Sequence, residues 1–180
     1  MDAPVMYLFG CAAPPVHYID HAIRGAQAEG WEVCLGLTPT AEAWLGGRLP
    51  ELAELTGRPV RSSYRQPGQP DVWPPASVVV VAPATMNTIN QWALGITGTW
   101  VVGVVAEAIG KAIPLVAMPC VNEAYAQHPQ FEQSLATLRG ARVRVLYGPG
   151  GFVPNKPGQG RPEAYPWHLA LAAARESLAT

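Results

Sequence analysis

The sequence predicts an α/β fold: a Rossmann-like or flavodoxin-like doubly wound parallel sheet of about six strands, in three α/β/α layers. Apolar runs of strand length alternate with helical patterns along the chain, which is how successive βαβ units read. The run Ser77–Ala82 is almost pure valine, as expected of a strand covered on both faces. Small or proline-containing loops follow the strand-like runs, where the helices have to begin.

The elements follow in order. Val5–Phe9 reads as the first strand, ending at Gly10, and residues 16–28 as a helix with Ile19, Ala22, Ile23 and Ala26 on one face and Gly30 closing it. Trp31–Leu37 is the second strand, Thr40–Leu45 a short helix, and Pro59–Ser62 a short edge strand. Arg65–Pro75 contains Pro67, Gly68, Pro70, Pro74 and Pro75 and is a connection without regular structure. After the valine strand come helices at Thr88–Leu94 and Trp100–Ile109, a strand at Ile113–Met118, a long helix at Glu123–Leu138 and a last strand at Arg142–Tyr147. Gly148–Gly160 reads as a mobile segment rich in Gly and Pro, ahead of a terminal helix over residues 163–178. Crossovers should be right-handed, and a ligand should sit beyond the strand carboxyl ends.

Neither a repeat nor a linker interrupts the 180 residues, so residues 1–180 are expected to form a single domain. Only 14% of residues are charged against 49% hydrophobic, which implies either surface hidden in a homo-oligomer or a large core. A net charge of −1 without a basic run lacks the electrostatic footprint of nucleic-acid binding. No apolar stretch reaches transmembrane length, and Met1-Asp2-Ala3-Pro4 lacks the basic opening of a secretory signal. Cys11, Cys34 and Cys120 are odd in number and lie in or beside strands, which implies free thiols and a cytoplasmic location.

Four loops after strands are positioned to carry chemistry. Gly10-Cys11-Ala12-Ala13-Pro14 offers free backbone N–H groups and small side chains to a phosphate, although it lacks G-x-G-x-x-G. Thr38 and Thr40 add hydroxyl donors beside it, or serve as helix caps. The other two loops are Pro83-Ala84-Thr85-Met86-Asn87-Thr88 and Pro119-Cys120-Val121-Asn122.

The third loop resembles the P-A/L-S-A-N-T loop of the homo-oligomeric flavin-containing cysteine decarboxylases, with Met86 in place of alanine. The fourth resembles the opening of that family's P-x-M-N-x-x-M-W motif, with Val121 for the first methionine and Tyr125 and Ala126 at the later positions. The spacing between the loops, the intervening Gly95 and the following His128-Pro129 agree with the family, most closely from Val78 to Leu138. The resemblance implies an FMN-binding, Rossmann-like fold assembled as trimers or dodecamers. It also implies oxidative decarboxylation of a cysteine-containing peptide or a small thiol carboxylate. Gly10, Cys11, Ala12, Ala13, Thr38 and Thr40 would hold the phosphate end of FMN, and Ala84, Asn87 and Thr88 the ribityl chain or ring. Pro83, Thr85 and Met118 complete the cofactor-binding set that it implies, and Asn122 matches the family asparagine that engages the substrate carboxylate.

The chain also departs from that pattern. Aligned on Ala76-Ser77-Val78, Gln69 falls near the place of the family histidine, and glutamine cannot take up a proton. The segment Gly148–Gly160 has no cysteine and reads as a lid with Phe152, Asn155 and Lys156 as contacts, or as a surface loop. His17 and His21 lie one turn apart, and His17 is placed to touch a ligand or simply to face solvent at a helix start. Cys11 and Cys120 are either reactive thiols at helix starts or buried filler. The alternative to an enzyme is therefore an FMN-binding regulatory module that has lost the histidine.

Overall fold

The computed structural model describes residues 3–179. Five strands form one parallel sheet: β1 (Val5–Gly10), β2 (Glu32–Leu37), β3 (Val78–Ala84), β4 (Leu115–Pro119) and β5 (Arg144–Val145), in the order β2-β1-β3-β4-β5. The helices are α1 (Ile19–Ala28), α2 (Pro39–Leu45), α3 (Leu49–Thr56), α4 (Met86–Leu94), α5 (Trp100–Gly110), α6 (Glu123–Ala126), α7 (Pro129–Gly140) and α8 (Trp167–Glu176). This is the flavodoxin strand order, whose switch point lies between β1 and β3 and opens a crevice beyond their carboxyl ends.

Alternation along the strands sorts the core into two layers. Met6, Leu8, Leu35, Val80 and Met118 face one way and pack with Ile19 and Ile23 of α1, Leu52 of α3 and Leu171 of α8. Phe9, Cys34, Val79, Val81 and Ala117 face the other way, against Ile89 of α4, Val101 and Val105 of α5, and Phe131 of α7. Coverage on both sides is why β3 can be valine at four successive positions, all of them buried. Gly36 sits opposite Phe9 in the β1–β2 register, and a Cβ there would lie 3.0 Å from the Trp100 ring as well as against Phe9. A close approach of backbone to ring therefore fixes that glycine.

Several expectations need correction. The strand expected at Pro59–Ser62 contributes one bridge, Gly36 to Arg61, so the sheet has five strands rather than about six. The helix expected over Glu123–Leu138 is two: Pro129 has no N–H to give and its ring clashes with the preceding turn, so α6 stops and His128 caps α7 by accepting the Gln130 N–H at Nδ1 (3.1 Å). The last strand keeps only two residues, because Leu146 and Phe152 close a turn through the Phe152 N–H to the Leu146 carbonyl (3.1 Å). Helix α3, unassigned from sequence, buries Leu52 fully. The apolar stretch Trp100–Ile109 supplies Trp100, Val101, Val102, Val105 and Ala108 to the core, so intramolecular packing accounts for most of its apolar character. Among the described residues, no helix is long and apolar enough to cross a membrane.

Candidate functional site

The loops at the switch point are tied across the strand ends. The Cys11 N–H donates to the Pro83 carbonyl (3.0 Å), the Thr38 N–H to the Gly10 carbonyl (3.0 Å), and the Cys120 N–H to the Ala84 carbonyl (2.9 Å). Gly10 belongs there because a Cβ would meet Ile19 at 2.7 Å and Val16 at 2.9 Å. A cleft of about 790 Å³ opens over these loops. Ala12, Ala13, Thr85 and Asn87 line it, as does Asn122. The other expected residues do not line it: Gly10, Cys11, Pro83, Ala84, Thr88 and Met118 are buried, Thr38 is buried just after β2, and Thr40 is exposed.

Three asparagines give the cleft its character, and local bonding orients each of them. Asn122 caps α6, its Oδ1 accepting the Tyr125 N–H at 2.9 Å. The Asn87 Oδ1 accepts from Gln91 Nε2 one turn along α4 (3.2 Å). The Asn90 Oδ1 accepts from the fully buried Ser134 hydroxyl of α7 (2.8 Å), which in turn accepts from Gln130 Nε2 (3.1 Å). An amide has one carbonyl and one NH₂. With each oxygen engaged, the NH₂ groups are the ends left for a ligand. Thr85 caps α4 by accepting the Thr88 N–H (3.3 Å), so Met86 and Asn87 present first-turn N–H groups of a nine-residue helix. The charged residues lining the cleft are Lys156 and Arg161, with no Asp, Glu or His among the described lining residues. Arg161 pairs with Glu163 (3.3 Å), which leaves Lys156 as the lining cation without a carboxylate partner among the described residues, and the site is rich in donors.

The Gly148–Gly160 segment, expected to be mobile, is hydrogen-bonded over the cleft. The Gly148 N–H donates to the Phe152 carbonyl (2.9 Å), and Asn155 bridges to Asn122 through the Glu123 N–H (2.9 Å). Phe152 is buried against Tyr165, ring centroids 5.7 Å apart, and the Tyr165 hydroxyl donates to the Met118 carbonyl at 2.6 Å. Phe152, Asn155 and Lys156 all line the cleft. Burial pushes the Cys120 thiol up to about 12, and burial, then Cys120 and Cys11, raises Tyr165 well above the usual phenol range. Burial also raises Cys11, against hydrogen bonds from Thr88 and Thr85. Cys11 is buried and Cys120 partly buried at the cleft wall, and in both burial disfavours the thiolate.

Asn90, Arg161 and Tyr165 were missed in the sequence. Asn90 had a signal, lying three residues after Asn87 on one helical face; Arg161 and Tyr165 come from a distant segment and had none. Gln69 lies outside the cleft and lines a second cavity, its Oε1 accepting the Gln66 N–H at 2.9 Å. His17 stacks on Trp44, centroids 5.9 Å apart, and no metal-binding cluster exists among the described residues.

The flavoprotein family model matches residues 38–165, well over half of the chain. The chain belongs to the flavoprotein family. Its fold is that of several solved relatives. The FMN-dependent cysteine decarboxylase SpaF superposes with a TM-score of 0.74 at 19% identity, covering 98% of each chain. TvaF, an FMN-dependent cysteine decarboxylase from thioviridamide biosynthesis, gives 0.72 at 20% identity, covering 98% of this chain and 99% of its own. A PPC decarboxylase mutant complexed with pantothenoylaminoethenethiol gives 0.70 at 19% identity, covering 99% and 100%. No curated protein matches the chain.

Proposed function

We propose that this family member binds FMN in the cleft and acts as an oxidative decarboxylase on a thiol-bearing carboxylate, such as a peptide ending in cysteine. The observation that carries the reading is the set of three asparagine NH₂ groups in a cleft lined by Lys156 and by Arg161, the latter paired with Glu163, and by no acid among the described residues. Such a lining favours an acceptor-rich, anionic guest: a flavin ring edge, a phosphate and a substrate carboxylate. The residues fit FMN. Ala12 and Ala13 carry nothing beyond Cβ beside the first turn of α4, and about 790 Å³ is within the ordinary range for a cofactor and a small substrate.

FMN supplies a two-electron acceptor, and the protein supplies binding and orientation. Residues 10–13 with Thr38 and Thr40 would surround the phosphate end, and Ala84, Asn87 and Thr88 the ribityl chain or ring, above Pro83, Thr85 and Met118. Asn122, held by its cap, would donate to the substrate carboxylate. The lid residues Phe152 and Lys156 would exclude water and add a positive charge. Trimeric assembly in the cytoplasm accompanies this proposal. The exposed Leu94 and Ile96 offer apolar surface for assembly, and the three free cysteines suit a reducing compartment.

A second reading, an FMN-binding regulatory homo-oligomer without catalysis, is favoured by one observation. No carboxylate or histidine lines the cleft among the described residues, and Gln69 lies elsewhere. The test is an absorbance spectrum of the purified protein, mass identification of the released cofactor, and anaerobic addition of a cysteine-ended peptide. Bleaching of the flavin with carbon dioxide release supports the decarboxylase. Bound FMN that stays oxidised supports the regulatory reading, and a protein that takes up no FMN removes both.

A further inference from the structure

Helix α7 buries a stripe of Phe131, Ser134, Leu135 and Leu138, and one member of that stripe is polar. Ser134 is fully buried, where a hydroxyl is costly unless its proton finds an acceptor. The proton goes to the Asn90 Oδ1 of α4 at 2.8 Å, and the Ser134 oxygen accepts from Gln130 Nε2 at 3.1 Å. Gln130 is set in turn by the start of its helix, where Pro129 opens α7 and the Gln130 N–H donates to His128 Nδ1 (3.1 Å). The run Gln130–Ser134–Asn90 therefore has a direction. It begins on an amide NH₂, passes through a hydroxyl with a single proton and ends on an amide oxygen.

The Asn90 Nδ2 is left over. It makes no hydrogen bond within the protein among the described residues, and Asn90 lines the cleft. Its place along the cleft follows from the topology. Asn90 is bonded to α7, and α7 continues from α6, the helix that Asn122 caps. The Cys120 N–H, donating to the Ala84 carbonyl (2.9 Å), ties the loop that carries Asn122 to the strand end from which α4 starts. Asn90 and Asn122 thus stand on neighbouring walls of one cleft, each with its oxygen engaged and its NH₂ free. A carboxylate has two oxygens, and each can accept from a separate donor.

We propose that Asn90 is the second amide of a substrate-carboxylate clamp, with Asn122 donating to one oxygen and Asn90 to the other, and that Ser134 is the positioning residue that keeps the Asn90 NH₂ turned into the cleft. The clamp rests on the reading of Asn122 as the group that receives the substrate carboxylate. An amide freed from Ser134 turns about its last torsion and offers its oxygen as readily as its NH₂, and an oxygen repels a carboxylate. Alanine would serve the apolar stripe of α7 as well as serine does. The hydroxyl adds the direction of the neighbouring amide.

The probes are N-acetyl-alanyl-serine and its C-terminal amide, which differ only in the carboxylate and carry no thiol to oxidise. Each is dialysed to equilibrium against the full chain with excess FMN present, and the ratio of the two dissociation constants is the readout. Wild type is expected to prefer the acid. Asn90→Ala should reduce that preference about tenfold or more, because a hydrogen bond to a charged group is lost. Ser134→Ala should reduce it about twofold or more, since about half of a freely turning amide faces its NH₂ inward, and should leave the affinity for the amide probe unchanged. In the Asn90→Ala background, Ser134→Ala should change the preference no further. That double variant leaves no buried hydroxyl proton without an acceptor, so the loss of Asn90 can also be read between Ser134→Ala and the double variant if Asn90→Ala alone is unstable. A wild-type protein that does not distinguish acid from amide would overturn the assignment of Asn122 and this clamp together. A wild-type preference that survives Asn90→Ala would overturn the clamp alone. The positioning role is overturned if Ser134→Ala weakens both probes alike, or lowers the preference when Asn90 is already absent.

Discussion

Replacing Asn122 with aspartate separates its two duties. The Asn122 Oδ1 caps α6 through the Tyr125 N–H at 2.9 Å, and aspartate caps a helix about as well as asparagine. Stability should therefore stay within about 0.5 kcal/mol of wild type, the ordinary range for a surface substitution that leaves packing and capping intact. What changes is the free end: an NH₂ donor becomes a second carboxylate oxygen. Losing a hydrogen bond to a charged partner costs about 1.5–3 kcal/mol. Two like charges about 4 Å apart at an effective dielectric constant of about 20 add repulsion of up to about 4 kcal/mol. The hydrogen bond alone predicts roughly a 10- to 100-fold loss of affinity for a carboxylate substrate, and the repulsion extends it. Urea unfolding would check the first half, and equilibrium dialysis of a cysteine-ended peptide against FMN-loaded protein the second. Unchanged peptide affinity in a stable Asn122→Asp protein would refute the assignment of Asn122 to the substrate carboxylate. Weakened affinity restored by amidating the peptide's terminus would strengthen it.

Three further outcomes are expected. Tyr165→Phe strips the donor from the Met118 carbonyl and leaves a buried acceptor unpaired, so urea unfolding should show a loss of about 1–3 kcal/mol; a neutral result would mean that the lid is not anchored through this bond. Gly36→Ala drives a methyl against Phe9 and Trp100 and should cost about 1–3 kcal/mol in the same assay, with wild-type stability contradicting the close packing of β1 and β2. Alkaline pH should destabilise the fold: burial raises Cys34 to about 11 and Cys120 and Tyr7 to about 12, whereas unfolded thiols and phenols ionise from their ordinary 9.0 and 10.0. Between those limits the folded state holds more protons than the unfolded one, so stability falls as pH rises from about 9 to about 12. Urea midpoints that stay level or climb across that range would contradict the burial of these groups.

Much of this molecule was legible in the chain because its signals are local. The valine run of β3, the helical stripe of Ile19, Ala22, Ile23 and Ala26, and the loops after β3 and β4 are all short-range patterns. They carried the layered parallel sheet, the carboxyl-end cleft and the family. Where the reading slipped, local pattern and tertiary packing disagreed. Pro59–Ser62 has strand composition, yet only Arg61 bridges β2.

The sequence by itself determined which residue types end the strands, and so that Ala12, Asn87 and Asn122 would be near one another: strand direction puts every such loop at one edge of the sheet. Only the tertiary structure decided which atoms those residues offer. Ser134 turns Asn90, Tyr165 ties its segment to β4, and Arg61 lies over the Trp100 ring and near that of Trp73. Each arrangement joins residues 12 to 47 positions apart in the chain. Sequence periodicity reports which face of an element is buried, whereas a hydrogen bond or a stack is fixed by distances that exist only after the elements pack.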